Sequence, residues 1–130
     1  MSTETVKQRL DGLFVWTRDR EQFGRDEDWR SHIAAYRAGE IILDDCDGYM
    51  MTAADALLDA GADPAAVRLV TCATETGEGH AVCAVDQDGE TLILDNRQRA
   101  VWTWGELVQA GYRFDRVMRL SEPGTWREAG

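Results

Sequence analysis

The chain has 130 residues, 44% hydrophobic and 29% charged, with 14 basic against 24 acidic side chains and a formal net charge of −10. That is one domain's worth of sequence, read as a single unit over 1–130, with an ordinary globular composition. The acidic balance argues against nucleic-acid binding, which needs a basic face, and against anionic membranes; it is compatible with a basic substrate or a divalent cation.

No apolar run approaches the roughly 20 residues needed to span a bilayer. The segment Met1 to Arg9 is polar and carries no apolar signal-peptide core, so the expected location is the cytoplasm of the cell that makes it. Three cysteines with no C-x-x-C pair do not make a disulfide framework and fit a reducing compartment. Cys72 and Cys83 read as small strand residues. A zinc site from Cys46, Cys72, Cys83 and His80 lacks finger-like ligand spacing.

In chain order, Met1 to Asp11 is a polar, helix-capable lead-in. Leu13-Phe14-Val15-Trp16 is a short apolar segment, a strand or an anchoring turn, and Thr17 to Asp28 is charged and turn-rich. The pattern predicts a helix from about Glu27 to Ala38, ended by Gly39, with Trp29, Ile33, Tyr36 and Ala34 facing inward. His32 falls outside that stripe and reads as a solvated helix residue. Trp29 reads as a core anchor before a site wall.

Asp44-Asp45-Cys46-Asp47-Gly48-Tyr49-Met50 then carries one thiol among three carboxylates. From Cys46 onward, Met50, Ala53 and Leu57 trace the stripe of a core-facing helix, which should stop near Ala60 and Gly61. The aspartates supply capping oxygens for the first turn. Cys46 therefore sits at the positive end of a helix dipole, where a thiolate is stabilised. Three strands should follow: Val67 to Ala73, His80 to Asp86 and Glu90 to Asp95. A short helix from about Gly105 to Ala110 and a last strand from Tyr112 to Leu120 precede a loop-like tail that Trp126 could pin. Helices first and an antiparallel sheet after make an α+β arrangement.

The hairpin between the second and third strands brings two polar residues together. If Gln87-Asp88 is a two-residue turn, His80 stands directly opposite Asp95. If Asp88-Gly89 is the turn, Asp95 faces Val82, and His80 lies two residues along on the same face. Opposed Cβ atoms are about 4.5–5.5 Å apart and diagonal ones remain within reach of long side chains. A His80–Asp95 contact is expected either way. An imidazole held by a carboxylate keeps its other nitrogen for general-base work, or is simply a structural pair. With Cys46 it has the composition of a Cys-His-Asp triad. No pattern in the residues themselves places Cys46 beside His80.

A resemblance bears on that placement. Asp45-Cys46-Asp47-Gly48-Tyr49, then Leu57-Leu58 with Gly61 and Val67-Arg68-Leu69-Val70, then Gly79-His80-Ala81-Val82 and Leu92-Ile93-Leu94-Asp95-Asn96, resembles the bacterial transglutaminase-like cysteine peptidase family. Known members include periplasmic proteases that release surface adhesins, and related proteins are encoded by phages and prophages. The resemblance implies a papain-like, transglutaminase-like core, with N-terminal helices and a Cys-bearing helix packed on an antiparallel sheet bearing His and Asp. It implies Cys46 as nucleophile, His80 as base and Asp95 as orienting carboxylate. Asp28-Trp29 resembles the family's acidic-Trp element, which would put Trp29 at the oxyanion site. Asp45 and Asp47 match acids that help bind calcium in calcium-dependent members. Calcium is not required for the chemistry; it would also relieve the repulsion those acids exert on a thiolate. Two departures stand out: the family usually has a second acidic residue where this chain has Gly48, and periplasmic members carry export signals.

The implied function is a thiol hydrolase acting on the peptide or isopeptide bonds of a peptide or protein substrate. One alternative keeps the triad in an acyltransferase or a peptidoglycan-directed amidase. Another is a non-catalytic structural or assembly component of a phage particle, whose partners would be other virion proteins and whose place would be the virion.

Overall fold

Ser2 starts the first helix by accepting a hydrogen bond from the Thr5 N–H, and α1 runs over Thr3–Leu13. The computed structural model describes residues 2–17 and 30–129. The expected lead-in is thus a helix with an inward face of Thr3, Val6, Lys7 and Leu10, spaced as one stripe of an α-helix. The apolar segment after it is a strand, β1 (Phe14–Trp16), which pairs in parallel with β2 (Ile42–Asp44), a partner sequence reading did not supply.

Of the helix expected over 27–38, the described part is α2 (Ile33–Ala38), closed by Gly39 in the left-handed conformation at φ 74°. Trp29 lies outside the described residues, and Ala34 is exposed instead of facing inward. His32 is not a solvated helix residue. It precedes α2, its backbone N–H donates to Thr52 Oγ1, and its Nε2 stands 2.7 Å from Asp44 Oδ2. The helical wheel misplaced it because the described helix begins one residue later. The fully buried Asp44 carboxylate also needs a partner, which an imidazole supplies.

The cysteine helix, α3 (Cys46–Asp59), is capped by Asp45, whose carboxylate accepts from the Asp47 N–H at 3.0 Å. Its predicted stripe is buried: Met50 and Ala53 are fully covered and Leu57 nearly so, together with Tyr49. Each large side chain so buried contributes about 1.5–3 kcal/mol. These residues pack with Val6 and Leu10 of α1 onto Val67, Leu69, Ala81, Cys83, Val85 and Leu94 of the sheet.

That sheet holds six antiparallel strands in the order β6-β5-β4-β3-β7-β8. They are β3 (Val67–Ala73), β4 (Gly79–Gln87), β5 (Glu90–Leu94), β6 (Trp102–Thr103), β7 (Arg113–Arg119) and β8 (Arg127–Glu128). Side chains alternate as the pleat requires. Val70, Cys72, Val82, Ala84 and Ile93 face the opposite way, toward Leu107 of α4 (Trp104–Gln109) and Tyr112. The arrangement is α+β, as expected. Its tail is not wholly loop, since β8 pairs with β7. The hairpin takes the second of its two expected registers: Gln87 pairs with Glu90 and Cys83 with Leu94. Asp88 and Gly89 form the turn with φ 53° and 81°, the positive pair that a twisted two-residue hairpin turn demands. Among the described residues no helix is long and apolar enough to cross a membrane.

Gly48 has a steric reason in this fold. A Cβ there would overlap the Asp44 carboxylate, which is fully buried and accepts from the Asp45 N–H at 2.7 Å. The acidic side chain expected at position 48 by family resemblance is therefore replaced in space by one from Asp44. Gly48→Ala should destabilise by roughly 1–3 kcal/mol through overpacking. In chemical denaturation, Asp44→Ala should recover part of that loss when combined with it, since the two side chains contend for one volume. Strict additivity of the two changes would count against this packing account.

Candidate active site

Cys46 is the first residue of α3, and His80 is the second residue of β4. Together they line one cleft of about 360 Å³, with Trp16, Thr74, Thr76, Glu78, Gly79, Asn96 and Arg97. Packing of α3 on the sheet brings both residues to one cleft, a placement that residue patterns alone did not supply. The thiol is half-buried. The Ala81 backbone N–H, one residue past His80, favours the ionised form of the thiol.

His80 Nε2 and Asp95 Oδ1 are 2.7 Å apart, with both side chains almost wholly buried. Asp95 follows the last residue of β5, and the register places the pair diagonally. The carboxylate collects two further donors, the Arg97 backbone N–H on Oδ1 at 2.9 Å and the Tyr112 hydroxyl on Oδ2 at 2.6 Å. Burial pushes its pKa up. The hydrogen bond and charge of His80, the Tyr112 hydroxyl and the Arg97 N–H outweigh that and hold it below the usual aspartate value. The stability this lends is present above an ordinary aspartate pKa and is lost as pH falls through the lowered folded value. From the other side, the buried Lys7 donates from Nζ to the Asp95 backbone carbonyl at 2.9 Å. Lys7 also holds Asp11 and the Tyr49 hydroxyl, tying α1, α3 and the end of β5 into one knot.

The thiol's surroundings work against ionisation. Burial comes first, and the charges of Asp47 and then Asp45 add to it, so the Cys46 pKa is pushed up to about 12; the N–H groups of Ala81 and Cys46 oppose the rise. Cys72 is likewise pushed up to about 12, chiefly by burial. Cys83 is raised further, also chiefly by burial. Those two lie inside the sheet layers as the small strand residues expected, whereas Cys46 opens onto the cleft.

Asp45 and Asp47 flank the thiol as expected, and Asp45 serves as the helix cap. Among the described residues no group of three or more His, Cys, Asp or Glu side chains is arranged to hold a metal ion. Two carboxylates fall short of the roughly six to eight oxygens that calcium takes. Tyr112, Arg97 and Lys7 went unremarked as site residues in the sequence. Their partners are 15, 17, 42 and 88 positions away, and no local periodicity reports such contacts. The one available signal was Lys7, which sits on the same helical stripe as Val6 and Leu10.

No curated protein matches the sequence closely enough to count as a relative. Among solved structures, Legionella pneumophila LapG treated with EGTA superposes with a TM-score of 0.74 at 17% identity, covering 98% of this chain and 66% of that one. A second LapG structure gives 0.69 at 18%, covering 89% and 61%. One titled as calcium-bound gives 0.70 at 16%, covering 96% and 68%. At such identities the likeness establishes the fold, and the chain spans about two thirds of the LapG chains. The model of the bacterial transglutaminase-like cysteine proteinase family matches residues 2–130, and the chain belongs to that family.

Proposed function

We propose that the chain is a thiol hydrolase that cleaves peptide or isopeptide bonds, with Cys46 as nucleophile, His80 as general base and then acid, and Asp95 as the carboxylate that orients the ring. The observation that carries this reading is one cleft containing both a helix-terminal thiol and an imidazole held by a buried, triply hydrogen-bonded carboxylate. The second His–Asp pair, His32 with Asp44, does not line that cleft.

With Nε2 committed to Asp95, the other ring nitrogen, Nδ1, takes the thiol proton. Burial and the charges of Asp47 and Asp45 raise the thiol pKa and oppose thiolate formation at neutral pH. Proton transfer therefore accompanies attack instead of preceding it. The sulfur adds to the carbonyl carbon, and the resulting oxyanion is met by the Cys46 backbone N–H, which at the first position of α3 has no helical partner. His80 then protonates the departing amine, leaving a thioester on Cys46. Water, deprotonated by His80, adds to the thioester and releases the acid and the free thiol. Asn96, in the cleft wall, buries its Oδ1 without a hydrogen-bond partner among the described residues. Trp29, the oxyanion donor implied by the family resemblance, lies outside the described residues and has no part in these steps.

Labelling of the native protein with a thiol-directed electrophile, mapped by peptide mass spectrometry, tests this. Cys46 should react selectively over Cys72 and Cys83. Asp95→Asn should slow the reaction at neutral pH by roughly tenfold or more while the fold persists. Equal reaction of all three thiols, indifferent to Asp95, would defeat the proposal and favour the non-catalytic alternative. Product analysis with water against amine acceptors separates hydrolase from acyltransferase.

Calcium at Asp45 and Asp47 is a second proposal, favoured by the solved relative titled calcium-bound. The described residues alone do not complete such a site, and no step above depends on it. Asp47→Asn should move the midpoint of the labelling–pH profile to lower pH, because a charge that raises the thiol pKa is removed. Millimolar calcium should shift the wild-type midpoint the same way, and the variant's less. A wild-type profile indifferent to calcium and to chelator would leave the two aspartates as the cap and first-turn acid of α3.

A further inference from the structure

Beyond the three residues of the proposed triad, the structure assigns Tyr112 as a positioning residue for Asp95, with Arg97 and Glu75 fixing which way its hydroxyl proton points. This rests on the thiol-hydrolase reading and adds to it a fourth group acting through the carboxylate.

A tyrosine hydroxyl has one hydrogen to give and two lone pairs to offer. Arg97 Nη1 donates to the Tyr112 oxygen at 2.8 Å and Gln98 Nε2 donates at 3.4 Å. Both neighbours are donors only at those contacts, so the hydroxyl hydrogen has one destination, Asp95 Oδ2 at 2.6 Å. Arg97 is itself clamped by Glu75 through two parallel bonds of 2.9 and 2.8 Å, the planar fork-to-carboxylate match that fixes orientation as well as distance. Its guanidinium also lies 5.6 Å from the Tyr112 ring centre. The chain therefore runs from Glu75 through Arg97 and Tyr112 to Asp95 and His80, each link made by a side chain with one geometry left to it.

The consequence follows from the two oxygens of Asp95. Oδ1 serves His80 and the Arg97 N–H, and Oδ2 serves Tyr112. With 1% of Asp95 exposed, water does not replace a lost donor at Oδ2. Without the hydroxyl, the carboxylate is free to turn about its bond to Cβ and carries an unpaired charged oxygen. It then either releases the imidazole from its plane or takes up a proton at a higher pH than before. The other titratable and charged groups facing Asp95 are Lys7 on its backbone carbonyl, Cys72 from β3, Tyr49 from α3 and Glu75 behind Arg97. None of them reaches Oδ2 to substitute for Tyr112.

The test is Tyr112→Phe, which keeps the ring and removes the donor, read by carbon NMR titration of the Asp95 carboxyl and by the rate of Cys46 labelling. The Asp95 titration should move to higher pH by about one unit, the size expected for one charge-assisted hydrogen bond to a buried carboxylate. Labelling near neutral pH should fall several-fold. Glu75→Gln, an exposed change that loosens the Arg97 clamp, should shift the titration in the same direction by less, and it keeps the test decisive if Tyr112→Phe fails to fold. A tyrosine that only fills space would lower the melting temperature and leave the titration and the rate where they were; that result overturns the assignment. His80→Ala serves as the separate control: if it labels like wild type, the triad reading fails, whereas loss of labelling there with an unmoved Tyr112→Phe titration removes this inference alone.

Discussion

One buried carboxylate organises the site. Asp95 is 1% exposed, and a charge so placed is tolerable only when its oxygens are filled by hydrogen-bond donors. The chain brings those donors from separate regions: His80 from β4, the Arg97 N–H from the loop after β5, and Tyr112 from just before β7. Lys7 adds a bond to the same residue's carbonyl from α1. Removing a partner would leave a buried charge exposed to an apolar surround, so the fold and the site share a constraint. The elements that satisfy Asp95 are the elements that hold His80 still.

The thiol of Cys46 is arranged on the opposite principle. Cys46 stands at a helix N-terminus, which favours a thiolate, yet burial and the neighbouring charges of Asp47 and Asp45 outweigh that and keep the thiol protonated. Those acids are not incidental to α3. Asp45 caps it, and Asp44 fills the space that Gly48 leaves open. Helix initiation thus raises the cost of ionising this thiol. Under the proposed mechanism that cost is met when a substrate is present, by transfer of the proton to an imidazole whose opposite nitrogen is already charge-paired.

Much of this arrangement was legible in the residues. The cysteine helix announced itself by an apolar stripe and a capping aspartate, and β3 by a short, largely apolar segment over Val67–Ala73. The hairpin confined His80 and Asp95 to one face under either plausible turn, so their contact did not depend on choosing between them. What escaped was long-range or polar. The parallel pairing of β1 with β2 joins segments 28 residues apart, and a three-residue strand carries too little pattern to name its partner. Lys7 passed as one residue of a polar lead-in, because burial of a lysine is decided by acceptors far along the chain. Tyr112 looked like the opening of a strand, and its hydroxyl finds Asp95 only once the sheet has formed. His32 was misread for the converse reason, since a wheel drawn through a segment says nothing where the helix has not begun.

The central claim is that His80 and Asp95 act on Cys46 as a unit, with Asp95 working only through the imidazole. A double-mutant cycle on the rate of Cys46 labelling near neutral pH tests it most directly. His80→Ala should slow labelling by roughly 10²–10⁴-fold, the usual worth of a positioned general base. Adding Asp95→Asn to that variant should change the rate no further, because the group through which the carboxylate acts is gone. Independent, multiplicative losses in the two backgrounds would contradict the account, and would mean that Asp95 influences the thiol by some route other than His80.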